Sequence, residues 1–212
     1  MKPLSIVPFV SGKIKSNSYV VTDDESFCVV IDPGQETAEL LRYLGNRKVD
    51  YILLTHGHYD HIGGVNAVKG RTDAAVAIHH AEAEYLGDPI LNLSSENGKP
   101  IVCEWPDILL NGDEMVQCGE FAVKVIHTPG HSPGSVCYLL NERYLFSGDT
   151  LLAGLVGPTN LPSGDRELLK ASVNKKLFTL DKNVVVYPGH GESTTIEIEK
   201  ETNLFPNIKA FF

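Results

Sequence analysis

The sequence predicts an α+β protein in which two β-sheets pack face to face with helices on their outer sides. Three observations lead there. Short runs rich in β-branched and aromatic residues dominate both halves of the chain, separated by Gly, Asn, Asp and Pro turns. Segments with helical spacing are interspersed among them. The 212 residues are 42% hydrophobic and 21% charged, which suits a soluble globular protein with one sizeable core, here one domain over residues 1–212.

In the first half, strands are expected over Leu4–Val10, Ser18–Thr22 and Phe27–Ile31, the last ended by Asp32-Pro33-Gly34. Glu36–Arg47 reads as a helix with Ala38, Leu41 and Leu44 on one face and Gly45-Asn46 as its stop. Tyr51–Leu54 reads as a strand and His61–Lys69 as a short helix weakened at its start by Gly63-Gly64. A strand over Ala74–Ile78 and a helix over His79–Leu86 follow. Gly87–Asn111, which holds Trp105, shows no period; long loops of this kind often cover functional sites.

In the second half, strands are expected over Glu114–Gln117, Phe121–His127, Ser135–Leu140, Tyr144–Phe146 and Val184–Tyr187. Helices are expected over Asp165–Phe178 and Thr195–Glu201, with Glu197, Glu199 and Glu201 as a solvated face.

The formal net charge of −9 argues against a nucleic-acid partner, which asks for a basic face. No apolar run approaches the ~20 residues that span a bilayer, and the N-terminus lacks the apolar region of a signal peptide. Cys28, Cys103, Cys118 and Cys137 form no C-x-x-C pair and read as small buried hydrophobes. A cytoplasmic location is the resulting expectation.

The chemistry is concentrated in Thr55-His56-Gly57-His58-Tyr59-Asp60-His61. Three imidazoles and a carboxylate stand within six positions, straight after a hydrophobic strand. Neutral imidazole and carboxylate are the ligands that borderline divalent ions prefer, zinc above all. Three further donors end strand-like runs beside Gly or Pro: His131 in Thr128-Pro129-Gly130-His131, Asp149 in Ser147-Gly148-Asp149, and His190 in Pro188-Gly189-His190. Strand ends are where folds present side chains to a shared site. Asp149 taken alone is equally a plain turn residue. Asp32 is most simply a turn former, although its position allows a hydrogen bond to a ligand histidine. His79, His80 and His127 read as ordinary surface or core residues.

The pattern T-H-x-H-x-D-H, followed by T-P-G-H, G-D and P-G-H, resembles the metallo-β-lactamase superfamily, in particular its single-domain glyoxalase II-like (hydroxyacylglutathione hydrolase-like) members. The resemblance extends to Asn17-Ser18-Tyr19-Val20-Val21, Ile31-Asp32-Pro33-Gly34 and Gly189–Ile196. It implies an αββα sandwich, the metallo-β-lactamase fold, with a binuclear site at one edge. His56, His58 and His131 would hold a first ion, Asp60, His61 and His190 a second, and Asp149 would bridge them. Both ions would be divalent, zinc first, with iron or manganese as alternatives. A hydroxide between them is then the nucleophile, because bound metal lowers the pKa of water from 15.7 to about 7. Asp60 would also orient it.

The implied substrate is a small thioester, perhaps an S-2-hydroxyacylglutathione. Thiolate leaves without protonation, since a free thiol has a pKa of about 8.5, whereas an amine needs an acid. Related sequences usually carry Gly-Arg-Thr-Asp where this chain has Gly157-Pro158-Thr159-Asn160, and larger glyoxalase II enzymes add a C-terminal helical extension that binds glutathione. Both departures bear on substrate identity. Class B β-lactamases usually have Arg in place of His61, which points away from antibiotic hydrolysis. A persulfide dioxygenase-like enzyme with one iron on two His and an Asp, and a lactone or phosphoester hydrolase on the same site, are the rival readings.

Overall fold

The structure is a computed structural model and describes residues 4–23, 28–35, 37–97, 99–119 and 121–205. The first sheet contains β1 (Ser5–Ser11), β2 (Ser16–Thr22), β3 (Cys28–Ile31), β4 (Tyr51–Leu53), β5 (Ala75–His79) and β6 (Ile108–Leu110), in that spatial order. The second contains β7 (Met115–Cys118), β8 (Phe121–His127), β9 (Val136–Leu140), β10 (Tyr144–Gly148), β11 (Val185–Pro188) and β12 (Thr194–Thr195), also in sequence order. Both sheets are mixed: β3, β4, β5 and β6 pair in parallel, as do β10 and β11, and the other neighbours are antiparallel.

Period-two alternation divides each strand between two layers of core. Tyr19, Val21, Val29, Ile31, Leu53 and Ala77 point between the sheets, where they meet Val123, Val125, Tyr138, Leu140 and Phe146. The intervening Val20, Val30, Ile52, Leu54, Val76 and Ile78 point the other way. They are covered by α1 (Ala38–Leu44), α2 (Tyr59–Ile62) and α3 (Val65–Thr72) through Leu40, Leu44, Ile62, Val65 and Val68. The outer face of the second sheet, with Cys137, Leu139 and Leu145, is covered by α4 (Arg166–Ser172), the π-turn Val173–Leu177 and α5 (Ile196–Thr202). The result is the αββα sandwich. Coverage on both faces explains why β3 and β9 are unbroken hydrophobic runs. All four cysteines are buried and unbridged, and no helix among the described residues is long and apolar enough to cross a membrane.

Several expected elements differ in detail. Helix α1 is shorter than Glu36–Arg47, and Glu36 lies outside the described residues, as does Phe27 of the third expected strand. Its buried stripe is Leu40 and Leu44 rather than Ala38, Leu41 and Leu44, because i and i+4 face the sheet together. The expected His61–Lys69 helix is two helices, α2 and α3, broken at Gly63-Gly64. A β-carbon on Gly64 would stand 2.4 Å from the Gly34 carbonyl oxygen, so the chain crosses another backbone there. His80–Leu86 is 3-10 rather than α, with Glu82 at φ −127° and ψ 17°. The strands β6 and β12 were not expected; three and two residues are too few to show a period.

Candidate metal centre

The donors collect at one edge because of strand direction. Asp32 follows β3, Thr55-His56 follows β4, Asp149 follows β10 and His190 follows β11. All four strands end on the same side, where open sheets with parallel strands bind ligands. His58 caps α2, whose first turn holds Asp60 and His61. His131 comes from the turn between β8 and β9, tied to the histidine loop where Val136 N–H donates to Thr55 O at 2.8 Å.

All seven expected donors meet. His56, His58 and His131 form one group whose nitrogens lie within 4.8 Å of one another, and Asp60, His61 and His190 form another. Asp149 stands between the two. Its Oδ2 is 3.7 Å from His131 Nε2 and 3.6 Å from His190 Nε2, and its Oδ1 is 3.6 Å from His61 Nε2. Asp32, His56 and His61 also converge, but Asp32 is committed elsewhere. It accepts from Thr55 N–H at 2.7 Å and Thr55 Oγ1 at 2.6 Å, and its Oδ2 is 3.0 Å from His61 Nδ1.

Outer contacts turn the imidazole lone pairs inward. His61 Nδ1–H donates to Asp32, His131 Nδ1–H to Pro158 O at 2.8 Å, and His190 Nδ1–H to Ile14 O at 3.1 Å. Because Thr55 Oγ1 gives its proton to Asp32, it accepts from His56 Nδ1–H at 3.1 Å. Each Nε2 therefore faces the centre, the arrangement metal-ligating histidines show. His58 differs: its Nδ1 points inward, 2.9 Å from His131 Nε2.

Burial presses the protonation states of the three-histidine group the same way. His56 and His131 are pushed down from the usual imidazole range by desolvation, and His58 is pushed down to about 3 by burial and the adjacent His131. Burial works against a proton on His61 as well, but Asp60 and Asp32 outweigh it and raise the pKa. At Asp60, burial opposes ionisation, and His61 and His190 override it, holding the carboxyl well below its usual range.

The residues fit a metal ion on an independent observation. Among the atoms turned to the centre, His56 Nε2, His61 Nε2, Asp60 Oδ2 and Asp149 Oδ1 are buried with no hydrogen-bond partner. Buried polar atoms are nearly always paired, and an orphan implies an ion or water. Four orphans around one point, all nitrogen or carboxylate oxygen, are a donor set for divalent cations.

Glycine makes room at two places. A β-carbon on Gly189 would lie 2.2 Å from Asp149 Oδ1 and 2.7 Å from His61 Cε1, and one on Gly57 would lie 2.5 Å from Tyr85 Cβ. The segment Ser16–Tyr19 holds the His190 loop: Asn17 N–H donates to Gly189 O at 2.7 Å, Asn17 Nδ2 to Pro188 O and Gly191 O, and Tyr19 OH to Pro188 O at 2.6 Å.

Sequence reasoning missed some supporting residues. Glu82, wholly buried, accepts hydrogen bonds from both histidine-bearing loops. Tyr138 OH donates to Leu54 O across the sheets at 2.7 Å. Neither gives a local signal, because Glu82 sits in a segment that reads as a surface helix. Asp32 takes its allowed second role on His61. His79 and His127 stack at 4.2 Å, with His80 beside His79, outside the donor set.

A cavity of about 410 Å³ opens onto the donors. His58, Asp60, His131, Asp149 and His190 line it, and Ile14, Leu93, Leu152, Leu161 and Pro162 give it apolar walls.

The chain belongs to the metallo-β-lactamase superfamily, whose family model matches residues 12–190. Among its relatives, a probable metallo-hydrolase YqgX of Bacillus subtilis is 37% identical over 92% of this chain and 94% of its own length. The hydroxyacylglutathione hydrolase GloC of Haemophilus influenzae is 32% identical over 98% and 99%. Among solved structures, the B3 metallo-β-lactamase BLEG-1 superposes with a TM-score of 0.90 at 40% identity, covering 96% of this chain and 99% of that one. TTHA1623 in a di-iron-bound form gives 0.78 at 32%, covering 94% and 99%.

Proposed function

We propose that the protein is a binuclear, metal-dependent hydrolase of small thioesters. The reading is carried by one observation: four unpartnered buried donor atoms lie within a cluster of seven donors, and that cluster meets an apolar-walled cavity large enough for a small substrate. His56, His58 and His131 would hold one ion, Asp60, His61 and His190 the other, with Asp149 between them. Divalent ions there supply Lewis acidity and acidify water near neutral pH.

The chain's own groups do the rest. The apolar walls exclude water around the acyl group and seat it. Asp60 orients the attacking water. Every histidine lining the cavity belongs to the seven donors, which leaves Tyr59 and Glu96 as the other proton-bearing side chains in its wall. A thiolate leaves without protonation, and an amine does not, which favours thioesters. The GloC relative, whose name assigns it a glutathione thioester, supports the same class. Small-molecule chemistry in the cytoplasm fits the four unbridged cysteines, and the net charge of −9 speaks against a nucleic-acid substrate.

One observation favours a second reading. Asp60, His61 and His190 are two histidines and a carboxylate, the composition of non-haem iron sites that bind oxygen. A mononuclear-iron, persulfide dioxygenase-like enzyme is the alternative.

Turnover separates the readings. Metal-stripped protein reconstituted with zinc or ferrous iron is tested on thioesters, a lactone, a phosphodiester, a β-lactam and glutathione persulfide. Thioester hydrolysis by the zinc form supports the proposal. Oxygen uptake with the persulfide, by the iron form only, overturns it in favour of the alternative.

A further inference from the structure

Glu82 touches none of the seven donors, yet it holds the chain on both sides of one of the two groups. Its Oε2 accepts from Gly57 N–H at 2.5 Å, and Gly57 lies between His56 and His58. Its Oε1 accepts from Ser132 Oγ at 2.5 Å and Gly134 N–H at 2.7 Å, in the turn that begins with His131. The side chain is completely buried, and these partners are neutral donors. The backbone leaves helical geometry at Glu82 alone within its segment, which lets the carboxylate enter between the two loops. A β-carbon on Gly134 would stand 2.9 Å from Glu82 Cγ, so the turn is closed down onto it.

The other group is held by different residues. Asp32 fixes His61, Ile14 O fixes His190, and Ser16 Oγ donates to Asp60 O at 2.9 Å. Each group thus has a buried carboxylate bonded to its own chain segments, Glu82 for one and Asp32 for the other, and Asp32 reaches His56 only through Thr55. A carboxylate taken from water is costly unless its lone pairs are filled; a purely structural tie between two loops needs no charge.

We infer that Glu82 is a positioning residue dedicated to the three-histidine group: it sets the spacing of His56 and His58 against His131 and so tunes that metal position independently of the other. The inference rests on the two-ion reading above. In Glu82→Gln the amide presents a donor where the carboxylate accepted from two loops, so one of the three bonds is replaced by a donor–donor contact.

The test is a cobalt titration of the metal-free full-length protein, with a competing chelator to obtain both stepwise constants. Histidine-labelled NMR assigns each step to its imidazoles. Glu82→Gln is expected to weaken the step that shifts His56, His58 and His131 by about 10–100-fold, the usual cost of losing an outer-sphere partner, and to leave the step that shifts His61 and His190 unchanged. Ser132→Ala, which removes one donor and leaves the carboxylate, is expected to produce a smaller loss at the same step, and it carries the test if Glu82→Gln does not fold. Equal weakening of both steps, or of neither, overturns the inference. A wild-type protein that shows one binding step only overturns the two-ion reading itself, a result distinguishable from the first.

Discussion

Asp32 Oδ2 lies 3.0 Å from His61 Nδ1, and the same carboxylate accepts from Thr55 N–H and Thr55 Oγ1. This contact fixes which nitrogen of His61 faces the centre and, through Thr55, which nitrogen of His56 does. Asp32→Asn keeps the shape, but its amide can present a donor to His61 in place of an acceptor. Metal affinity at the Asp60, His61 and His190 group is expected to fall about 10–100-fold. An unchanged affinity in a chelator competition assay would remove Asp32 from the account.

Asp149 is the donor that reaches both groups, with separations of 3.6–3.7 Å to His61, His131 and His190. Asp149→Ala is expected to lower metal content and thioester turnover together, with the melting temperature of the metal-free protein little changed. Loss of activity at full metal content would assign Asp149 a different role.

Gly189 approaches the centre more closely than a side chain allows: an added β-carbon would meet Asp149 Oδ1 at 2.2 Å. Gly189→Ala is therefore expected to displace Asp149 or His61 and reduce metal uptake at least tenfold. Atomic emission on the purified variant checks this, and a variant that loads normally contradicts the close packing.

Asn17 Nδ2 donates to Pro188 O at 3.0 Å and to Gly191 O at 2.9 Å, on either side of His190. Asn17→Ala removes both bonds, but Pro188 O keeps the bond from Tyr19 OH and Gly191 lies at the surface, so the cost is that of two ordinary hydrogen bonds, about 0.5–1.5 kcal/mol each. Chemical denaturation is expected to show that loss, accompanied by weaker metal binding at the His190 position. Loss of stability with metal binding intact would make Asn17 a fold residue only.

His79 is held at about 4, below the usual imidazole value, by burial and the neighbouring His127 and His80. The folded state then binds fewer protons than the unfolded state between about pH 4 and 6.5, so stability rises with pH across that window and levels off above it. Metal-free protein is expected to melt at lower temperature as pH falls through the window, and His79→Gln is expected to flatten the slope. A slope unchanged in the variant would place the dependence on other groups.

The convergence of the seven candidate donors was readable because a T-H-x-H-x-D-H run concentrates imidazole and carboxylate within one loop, and each later candidate follows a hydrophobic strand beside Gly or Pro. The two-sheet architecture was readable for the same reason that β3 and β9 are obvious: their residues are apolar on both faces. What failed to show was tertiary. Glu82 looks like a helix-surface glutamate because its partners lie 25 to 52 residues away in the chain. The break between α2 and α3 depends on the backbone that Gly64 crosses, and β6 depends on an edge offered by β5. Asp32 reads as a turn residue, and it follows β3 with φ at 47°; its bond to His61 arises only once β3 and β4 lie in parallel.

The most direct measurement of the central claim is metal content followed alongside thioester turnover while the purified protein is stripped with a chelator and then reloaded with zinc. The account predicts about two divalent ions per chain in the active protein, activity that disappears with them, and recovery on reloading. Undiminished hydrolysis by metal-free protein would contradict it.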